Sequence, residues 1–170
     1  DKSKLFFRDT RKFGRAYISK NLSWLEKRLG MEPLSVTFSP RWLYDLFRAH
    51  NRMVKSILLD QQFIAGLGNI YIDEVLWHSQ IHPKAISSNV GRKKIYNLCL
   101  SIKSILKNAI AHQGTTIIDF SYAKNKQGSY KNELKVFKRQ NEPCLKCNTP
   151  ITKIFVAQRG THYCKRCQKM

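Results

Sequence analysis

Four cysteines near the end of the chain are the residues whose type and spacing specify chemistry most directly. Cys144 and Cys147 are separated by two residues, Cys164 and Cys167 likewise, and sixteen residues lie between the pairs. Two intervening residues let both sulfurs of a tight turn face one ion, and four thiolates leave no coordination position for water. The spacing predicts one structural Zn²⁺ bound by all four cysteines, with a β-hairpin in the spacer that returns at residues 158–161.

The alternative for these cysteines is a pair of disulfides in a secreted protein. Such proteins are small and rich in loops, whereas the rest of this chain has helical periodicity and no secretory signal pattern. The zinc interpretation is therefore favoured. The fifth cysteine, Cys99, falls on the apolar face of a predicted helix, which is typical of a buried, inert thiol.

A second candidate site is the turn Gly66-Leu67-Gly68-Asn69, which opens a predicted helix. A dinucleotide-binding turn is disfavoured, because the third glycine is missing and a helix precedes the turn. Free backbone N–H groups at a helix start bind phosphate oxygens, and glycines permit close approach. Lys55, on the preceding helix, can reach the same phosphate. The alternative is a packed turn between two helices that binds nothing.

The charge of the chain indicates a polyanionic partner. The 170 residues contain 31 Lys and Arg against 11 Asp and Glu, a formal net charge of +20. Residues 91–170 alone hold 17 basic and only 3 acidic side chains. Nucleic acid is the simplest partner for such a field. No apolar run approaches the ~18 residues of a membrane span, so we predict no membrane association, and 42% hydrophobic residues exclude wholesale disorder.

Apolar periodicity predicts a mainly helical chain. Ser39 and Pro40 mark the start of a helix that runs to about residue 50, and Asn51 is the expected cap of the next helix, with Lys55 on its polar side. Asn69 is the expected cap of a helix over 70–79. A longer helix over 91–112 follows, then a loop at 121–132. In residues 4–18, two short β-type runs flank a polar turn but lack partner strands.

These segments, in this order, resemble the formamidopyrimidine-DNA glycosylase family, with the endonuclease VIII branch as a near relative. The similar segments are Arg8 to Gly14, Leu58 to Gln61, Ala65 to Tyr71 with Asp73-Glu74, Ile81-His82-Pro83, Gly114-Thr115-Thr116 with Asp119-Phe120, and Cys144 to Gln168. The resemblance implies a helix-two-turn-helix helical domain over 39–132 and a four-cysteine β-hairpin zinc finger over 133–170. Residues 1–38 would be a remnant of an N-terminal β-sandwich domain and a linker.

The resemblance also implies function. The family consists of bifunctional base-excision repair enzymes that remove oxidised purines, such as formamidopyrimidine and 8-oxoguanine, and nick abasic sites by β,δ-elimination. We therefore expect a monomer that binds damaged double-stranded DNA in the bacterial cytoplasm, at the nucleoid. The family's N-terminal Pro-Glu nucleophile has no counterpart here, so we expect this chain alone to be inactive. The alternative is a non-catalytic zinc-ribbon protein that binds nucleic acid.

Site residues follow from the matched motifs. Arg11 matches the arginine that fills the gap left by a flipped base, and Phe13 matches the stacking wedge. Their turn departs from the family pattern at Thr10 and Lys12.

Four further residues match the DNA-backbone contacts of the family. Lys55, Gly68 and Asn69 correspond to the phosphate-binding lysine and the start of the helix. Arg159 matches the arginine at the tip of the zinc-finger hairpin, which contacts the DNA backbone and is linked to δ-elimination. Glu74 is expected to be structural.

Overall fold

The computed structural model describes residues 4, 6, 7, 9, 12–115 and 128–170. Within these residues the chain is mostly helical and ends in one antiparallel β-hairpin, as predicted. No helix in this part of the chain is long and apolar enough to cross a membrane. The elements are α1 (Ser23–Glu26), α2 (Pro40–Arg48), α3 (Val54–Leu59), α4 (Asn69–His78), α5 (Arg92–Ala111), β1 (Ile151–Val156) and β2 (Arg159–Cys164), with 3-10 turns at Ser87–Asn89 and Tyr130–Glu133.

Local chemistry accounts for where the helices begin. Ser39 Oγ accepts a hydrogen bond from the Trp42 N–H at 3.2 Å, and proline occupies the first helical position of α2, as predicted. Two predicted caps differ. Helix α3 begins after Met53 rather than Asn51, because Met53 forms a bridge with Ile86. Helix α4 begins at Asn69 itself, since Gly68 is its N-cap.

Helices α2 to α5 enclose a single apolar core. The longest helix, α5, packs against both α4 and α2, and its inward face is apolar at helical spacing. Removing these side chains from water is the main driving force for this arrangement. Fully buried members of the core include Phe38, Leu43, Phe47, Ile57, Leu58, Ile64, Leu67, Ile72, Ile95, Leu98 and Ile102.

The predicted β-type run at residues 15–18 is not a strand in the structure. A two-stranded ribbon is marginal in water without further strands, and no strand among the described residues pairs with this run. Tyr17 instead packs on Trp24 of α1, with ring centroids 5.3 Å apart. Phe6, Phe7 and Phe13 are all exposed.

The hairpin places its tip one step earlier than predicted. Register pairs run from Ile151 opposite Cys164 to Val156 opposite Arg159, so Ala157 and Gln158 form the return. Both return residues have left-handed backbones, with φ of 49° and 57°, as a tight turn matching the strand twist requires. Arg159 therefore lies at the tip, as the first residue of β2.

The four zinc-pattern cysteines converge at the base of this hairpin. All four Sγ atoms lie within 4.8 Å of one another, and the Sγ atoms of Cys147 and Cys164 are 3.4 Å apart. A tetrahedral zinc ion with Zn–S bonds of about 2.3 Å needs sulfurs ~3.8 Å apart, so the cluster fits one ion. Hydrogen bonds from Thr149 lower the pKa of Cys147 to about 6, whereas burial and the neighbouring thiols raise the pKa of Cys164 and Cys167.

Trp77 connects the cysteine cluster to helix α4. Its indole N–H donates to Cys144 Sγ at 3.3 Å. The Lys146 ammonium lies 4.2 Å from the Trp77 ring centroid and also donates to the Trp77 carbonyl. Trp77 is itself buried against Val136 and Ile151, so a side chain of α4 forms part of the zinc-finger core.

Glu74, also on α4, fixes the segment that leads into the zinc finger. Its Oε2 accepts the Lys135 N–H at 2.8 Å, and its Oε1 accepts the N–H groups of Val136 and Phe137 at 3.0 and 2.9 Å. Burial raises the pKa of Glu74, and the three N–H donors oppose that rise. The carboxylate thus satisfies three backbone donors that have no secondary-structure partner.

Asp73 ties two other elements to the same helix. Its Oδ1 lies 2.5 Å from Lys55 Nζ on α3, and its Oδ2 accepts the His162 N–H of β2 at 2.8 Å. The prediction that Lys55 lies on the polar side of its helix is wrong, because both side chains of this pair are fully buried. A buried ammonium needs a counter-charge, and Asp73 supplies it.

We predict that Glu74→Gln destabilises the zinc-loaded protein by about 1–3 kcal/mol. Glutamine retains one carbonyl oxygen but turns an NH₂ group toward a backbone N–H, which leaves that buried donor without an acceptor. Urea unfolding measures the loss. The control, Glu133→Gln, changes a half-exposed carboxylate and should stay within about 0.5 kcal/mol of the parent. Equal stability of the two variants would contradict the role of Glu74.

We also predict about one Zn²⁺ per chain and a zinc affinity that depends on the Trp77 indole. Trp77→Phe keeps an aromatic ring but removes the donor to Cys144, and loss of such an outer hydrogen bond lowers metal affinity about 10- to 100-fold. Competition with a chromogenic chelator measures this. Trp42→Phe, on α2, is the control and should bind zinc as the parent does. Identical affinities for both variants would rule out the coupling.

Candidate nucleic-acid interface

The turn before α4 is held rigid by one glutamine. Gln61 Oε1 accepts the Gly66 N–H at 2.7 Å, and Gln61 Nε2 donates to the Leu67 carbonyl at 3.1 Å. Gly66 has φ of +75°, a left-handed conformation that side chains disfavour. These hydrogen bonds and the Gly66 conformation therefore fix the direction in which the chain enters α4.

The first turn of α4 exposes an electropositive helix end. Gly68 is extended, has no side chain to cap the helix, and no other side chain within the described residues caps it. The first turn contains no acidic residue. The leading N–H groups and the helix dipole are thus available to an anion.

Asn69 connects this helix end to the zinc-finger tip. Its Nδ2 donates to the Gly160 carbonyl at 3.1 Å, across 91 residues of sequence. An amide nitrogen carries two hydrogens, and this bond uses one. Asn69 Oδ1 is buried and has no hydrogen-bond partner among the described residues. The turn and the hairpin tip therefore form one continuous surface.

Arg159 adds positive charge at the same place. Burial lowers the pKa of Lys55, Asp73 opposes this, and the nearby Arg159 charge lowers it further. The two cations are thus within electrostatic range of each other, and only Lys55 has a buried counter-charge. An anion beside Arg159 would relieve this imbalance.

The structure brings together four of the predicted DNA-binding residues, Lys55, Gly68, Asn69 and Arg159. Lys55 lies beneath the surface and is bonded to Asp73, so its phosphate contact stays a prediction. Phe13 is 87% exposed and does not pack against this group. Arg11 lies outside the described residues.

A cavity of about 660 Å³ opens beside the turn. Tyr71 on its wall exchanges a 3.2 Å hydrogen bond with Thr115 and packs edge-on against Tyr130. The walls of the cavity are mostly apolar, with one carboxylate. The lining residues are Glu32, Pro33, Leu34, Ala65, Gly66, Tyr71, Leu106, Ala109, Ile110, Gln113 and Gly114.

Sequence reasoning missed the residues that assemble this surface. The sequence patterns place Asp73 and Gln61 in matched segments without an individual role, and they give His162 none. A signal existed for Asp73 and Glu74, since two carboxylates lie inside an otherwise apolar helix. Such residues are rarely buried unless they are paired.

Two protein-family models match the chain. The first, described as the formamidopyrimidine-DNA glycosylase H2TH domain, matches residues 29–121. The second, described as a zinc finger found in FPG and IleRS, matches residues 141–169. The second match contains all four clustered cysteines, which therefore form the site of one structural zinc ion.

Curated relatives and solved structures agree with these matches. The formamidopyrimidine-DNA glycosylase of Pediococcus pentosaceus is 45% identical over 172 residues, covering 99% of this chain and 62% of that protein. The Roseiflexus sp. protein is 39% identical with 63% of its length covered. This chain thus spans under two thirds of the length of these relatives.

Among solved structures, MutM (FPG) from Thermus thermophilus superposes with a TM-score of 0.86 at 31% identity, covering 94% of this chain and 62% of that one. Lactococcus lactis Fpg in complex with abasic-site DNA superposes with a TM-score of 0.80 at 39% identity, covering 86% and 54%. Both family models, the sequence relatives and the fold lead to the same conclusion: the chain belongs to the formamidopyrimidine-DNA glycosylase family.

Proposed function

We propose that this chain is the damaged-DNA-binding portion of a bifunctional DNA glycosylase and abasic-site lyase in base-excision repair. The substrates would be oxidised purines, including formamidopyrimidine and 8-oxoguanine, and abasic sites cut by β,δ-elimination. The protein would act as a monomer on double-stranded DNA in the bacterial cytoplasm. The helical domain would span residues 39–132 and the zinc finger residues 133–170.

The observation that carries this proposal is the 3.1 Å bond from Asn69 to the Gly160 carbonyl. It joins two anion-binding features, a helix N-terminus and an arginine-tipped hairpin, into one positively charged surface. Adjacent phosphates of a DNA strand would contact the α4 N–H groups and Arg159. A plain zinc-ribbon protein needs neither the Gln61-held turn nor this connection.

The cavity beside the turn supports a role in handling an extruded base. An enzyme that acts on a base in duplex DNA must move that base into a pocket, where apolar walls and a few polar groups hold it. Tyr71, Leu106 and Ile110 form apolar walls of this cavity, and Glu32 supplies a hydrogen-bond acceptor. We propose this cavity as part of the base-binding pocket.

We predict that Arg159→Ala weakens binding to abasic-site duplex DNA and lowers its salt dependence. One lost phosphate contact should reduce the slope of log K against log salt concentration by about 0.9. Fluorescence anisotropy from low to moderate salt measures the slope. Lys169→Ala, which removes an exposed charge beyond the base of the hairpin, is the control and should change the slope much less. An unchanged slope for Arg159→Ala would mean that the tip does not contact DNA.

We predict further that the 170-residue polypeptide binds abasic-site DNA without forming a covalent adduct. The resemblance assigns the nucleophile to the amine of an N-terminal Pro-Glu, and no Pro-Glu dipeptide occurs in this sequence. The Lys55 amine is buried in an ion pair. Borohydride trapping, with a full-length family member as positive control, tests this. A trapped adduct of the 170-residue chain would contradict the predicted inactivity.

A further inference from the structure

A cluster of aromatic and cationic side chains joins α2 to the start of α5. The guanidinium carbons of Arg48 and Arg92 each lie 4.9 Å from the Tyr44 ring centroid. Arg48 also donates to the Val90 carbonyl at 3.3 Å, which fixes its side chain. We call Tyr44, Arg48 and Arg92 the Tyr44 cluster. Contact with one ring restricts both arginine side chains, which reduces the entropy lost when a ligand binds.

No acidic side chain of the described residues neutralises the positive charge of the Tyr44 cluster. In the part of the chain that the structure describes, neither Arg48 nor Arg92 forms an ion pair. The nearest acid in sequence, Asp45, pairs with Arg41 at 2.9 Å. The neighbouring guanidinium groups of Arg92 and Arg48 lower the pKa of Tyr44, as expected for a phenol beside positive charge.

The start of α5 adds to this field. The helix has 20 residues, a glycine N-cap and no acidic residue in its first turn, and its sequence begins Arg92-Lys93-Lys94. The dipole of a helix favours anions at this end, whereas these side chains are cationic. The positive side chains at this helix end therefore add to the positive end of the helix dipole instead of opposing it. An external anion would reduce this concentration of positive charge.

A groove beside the Tyr44 cluster is lined by aromatic and cationic side chains. Its volume is about 350 Å³, and Pro40, Arg41, Tyr44, Arg92, Lys93 and Tyr96 line it. Tyr96 is 53% exposed, and Leu100, one helical turn further along α5, is 48% exposed. The surface thus passes from cationic to apolar along one face of α5.

This surface is separate from the candidate nucleic-acid interface. A helix of 20 residues is about 30 Å long, and α5 has the Tyr44 cluster at its start. Its other end, at Ala109 to Gly114, lines the cavity beside the Gly66 turn. The two surfaces therefore lie at opposite ends of one helix.

We propose that the Tyr44 cluster and the neighbouring Tyr96–Leu100 face bind an acidic segment of a partner protein. Carboxylates of that segment would contact Arg48 and Arg92, whose guanidinium edges suit two-point contact with carboxylate oxygens. A leucine or phenylalanine next to the acids would cover Tyr96 and Leu100. Tyrosine and arginine together are typical of the residues that dominate protein–protein binding energy.

The same features disfavour DNA as the occupant. A DNA backbone alternates phosphates with small deoxyribose rings and offers no branched or aromatic side chain to cover Tyr96 and Leu100. The Tyr44 ring already contacts two cations, so it is not a free platform for base stacking. This proposal does not depend on the proposed repair function.

The test uses the zinc-loaded 170-residue protein and a fluorescent synthetic peptide with four acidic residues followed by leucine and phenylalanine. We expect binding of the peptide by the parent, and at least a tenfold loss of affinity in the Arg48→Gln/Arg92→Gln double variant. The charge-matched control, Lys107→Gln/Lys131→Gln, should bind within twofold of the parent. A peptide with amides in place of the acids should not bind. Circular dichroism verifies that each variant is folded.

Four outcomes would overturn the proposal. Equal loss in both double variants would show that only the overall charge attracts the peptide. Equal binding of a peptide in which serines replace leucine and phenylalanine, or full competition by inorganic phosphate at matched ionic strength, would reduce the surface to a small-anion site. A lower salt slope for duplex DNA in the arginine variant, with peptide binding unchanged, would assign the surface to DNA.

Discussion

The Asp73 carboxylate lies where three parts of the chain meet, and the candidate interface depends on it. One oxygen neutralises Lys55 on α3, and the other accepts the backbone N–H of His162 in the hairpin. Removing one partner of a buried ion pair costs about 3–5 kcal/mol, because the remaining charge is left uncompensated. The position of the hairpin against α4 is therefore coupled to a charge balance inside the helical core. Glu74, the next residue, fixes the segment that leads into the zinc finger, because its carboxylate also accepts backbone N–H groups.

The cysteine cluster and Asp73 both contribute to the position of Arg159. The cysteines fix the base of the hairpin, and the strand register carries that position along β2 to the tip. Asp73 and Asn69 then hold β2 against the start of α4. A hairpin of two strands is marginally stable without support, and the cysteine cluster and these hydrogen bonds both supply it. Metal coordination at the base of the hairpin and hydrogen bonds along β2 thus fix the position of Arg159.

Much of this arrangement was predictable from local patterns. The cysteine spacing predicted the metal cluster, and Ser39-Pro40 predicted the start of α2, because both depend on residues close in sequence. Lys55 was misplaced because its partner lies on another helix, and an apolar stripe alone assigns a lysine to the polar side. The hairpin return was predicted at 158–161 but lies at Ala157 and Gln158, because these two non-glycine residues adopt the left-handed conformation, which their residue types do not predict. The Tyr44 cluster was invisible, since only the packing of α2 on α5 brings it together.

The bond between Asn69 and Gly160 has a consequence for how the protein is made. Its two residues are 91 positions apart, so a ribosome must synthesise more than half of the chain between them. The helical core up to α5 contains its own contacts and can form while the rest is still being translated. The surface that joins the turn to the hairpin tip cannot exist until β2 has emerged from the exit tunnel and bound its metal. Completion of that surface is therefore a late step, because it follows synthesis of the second cysteine pair.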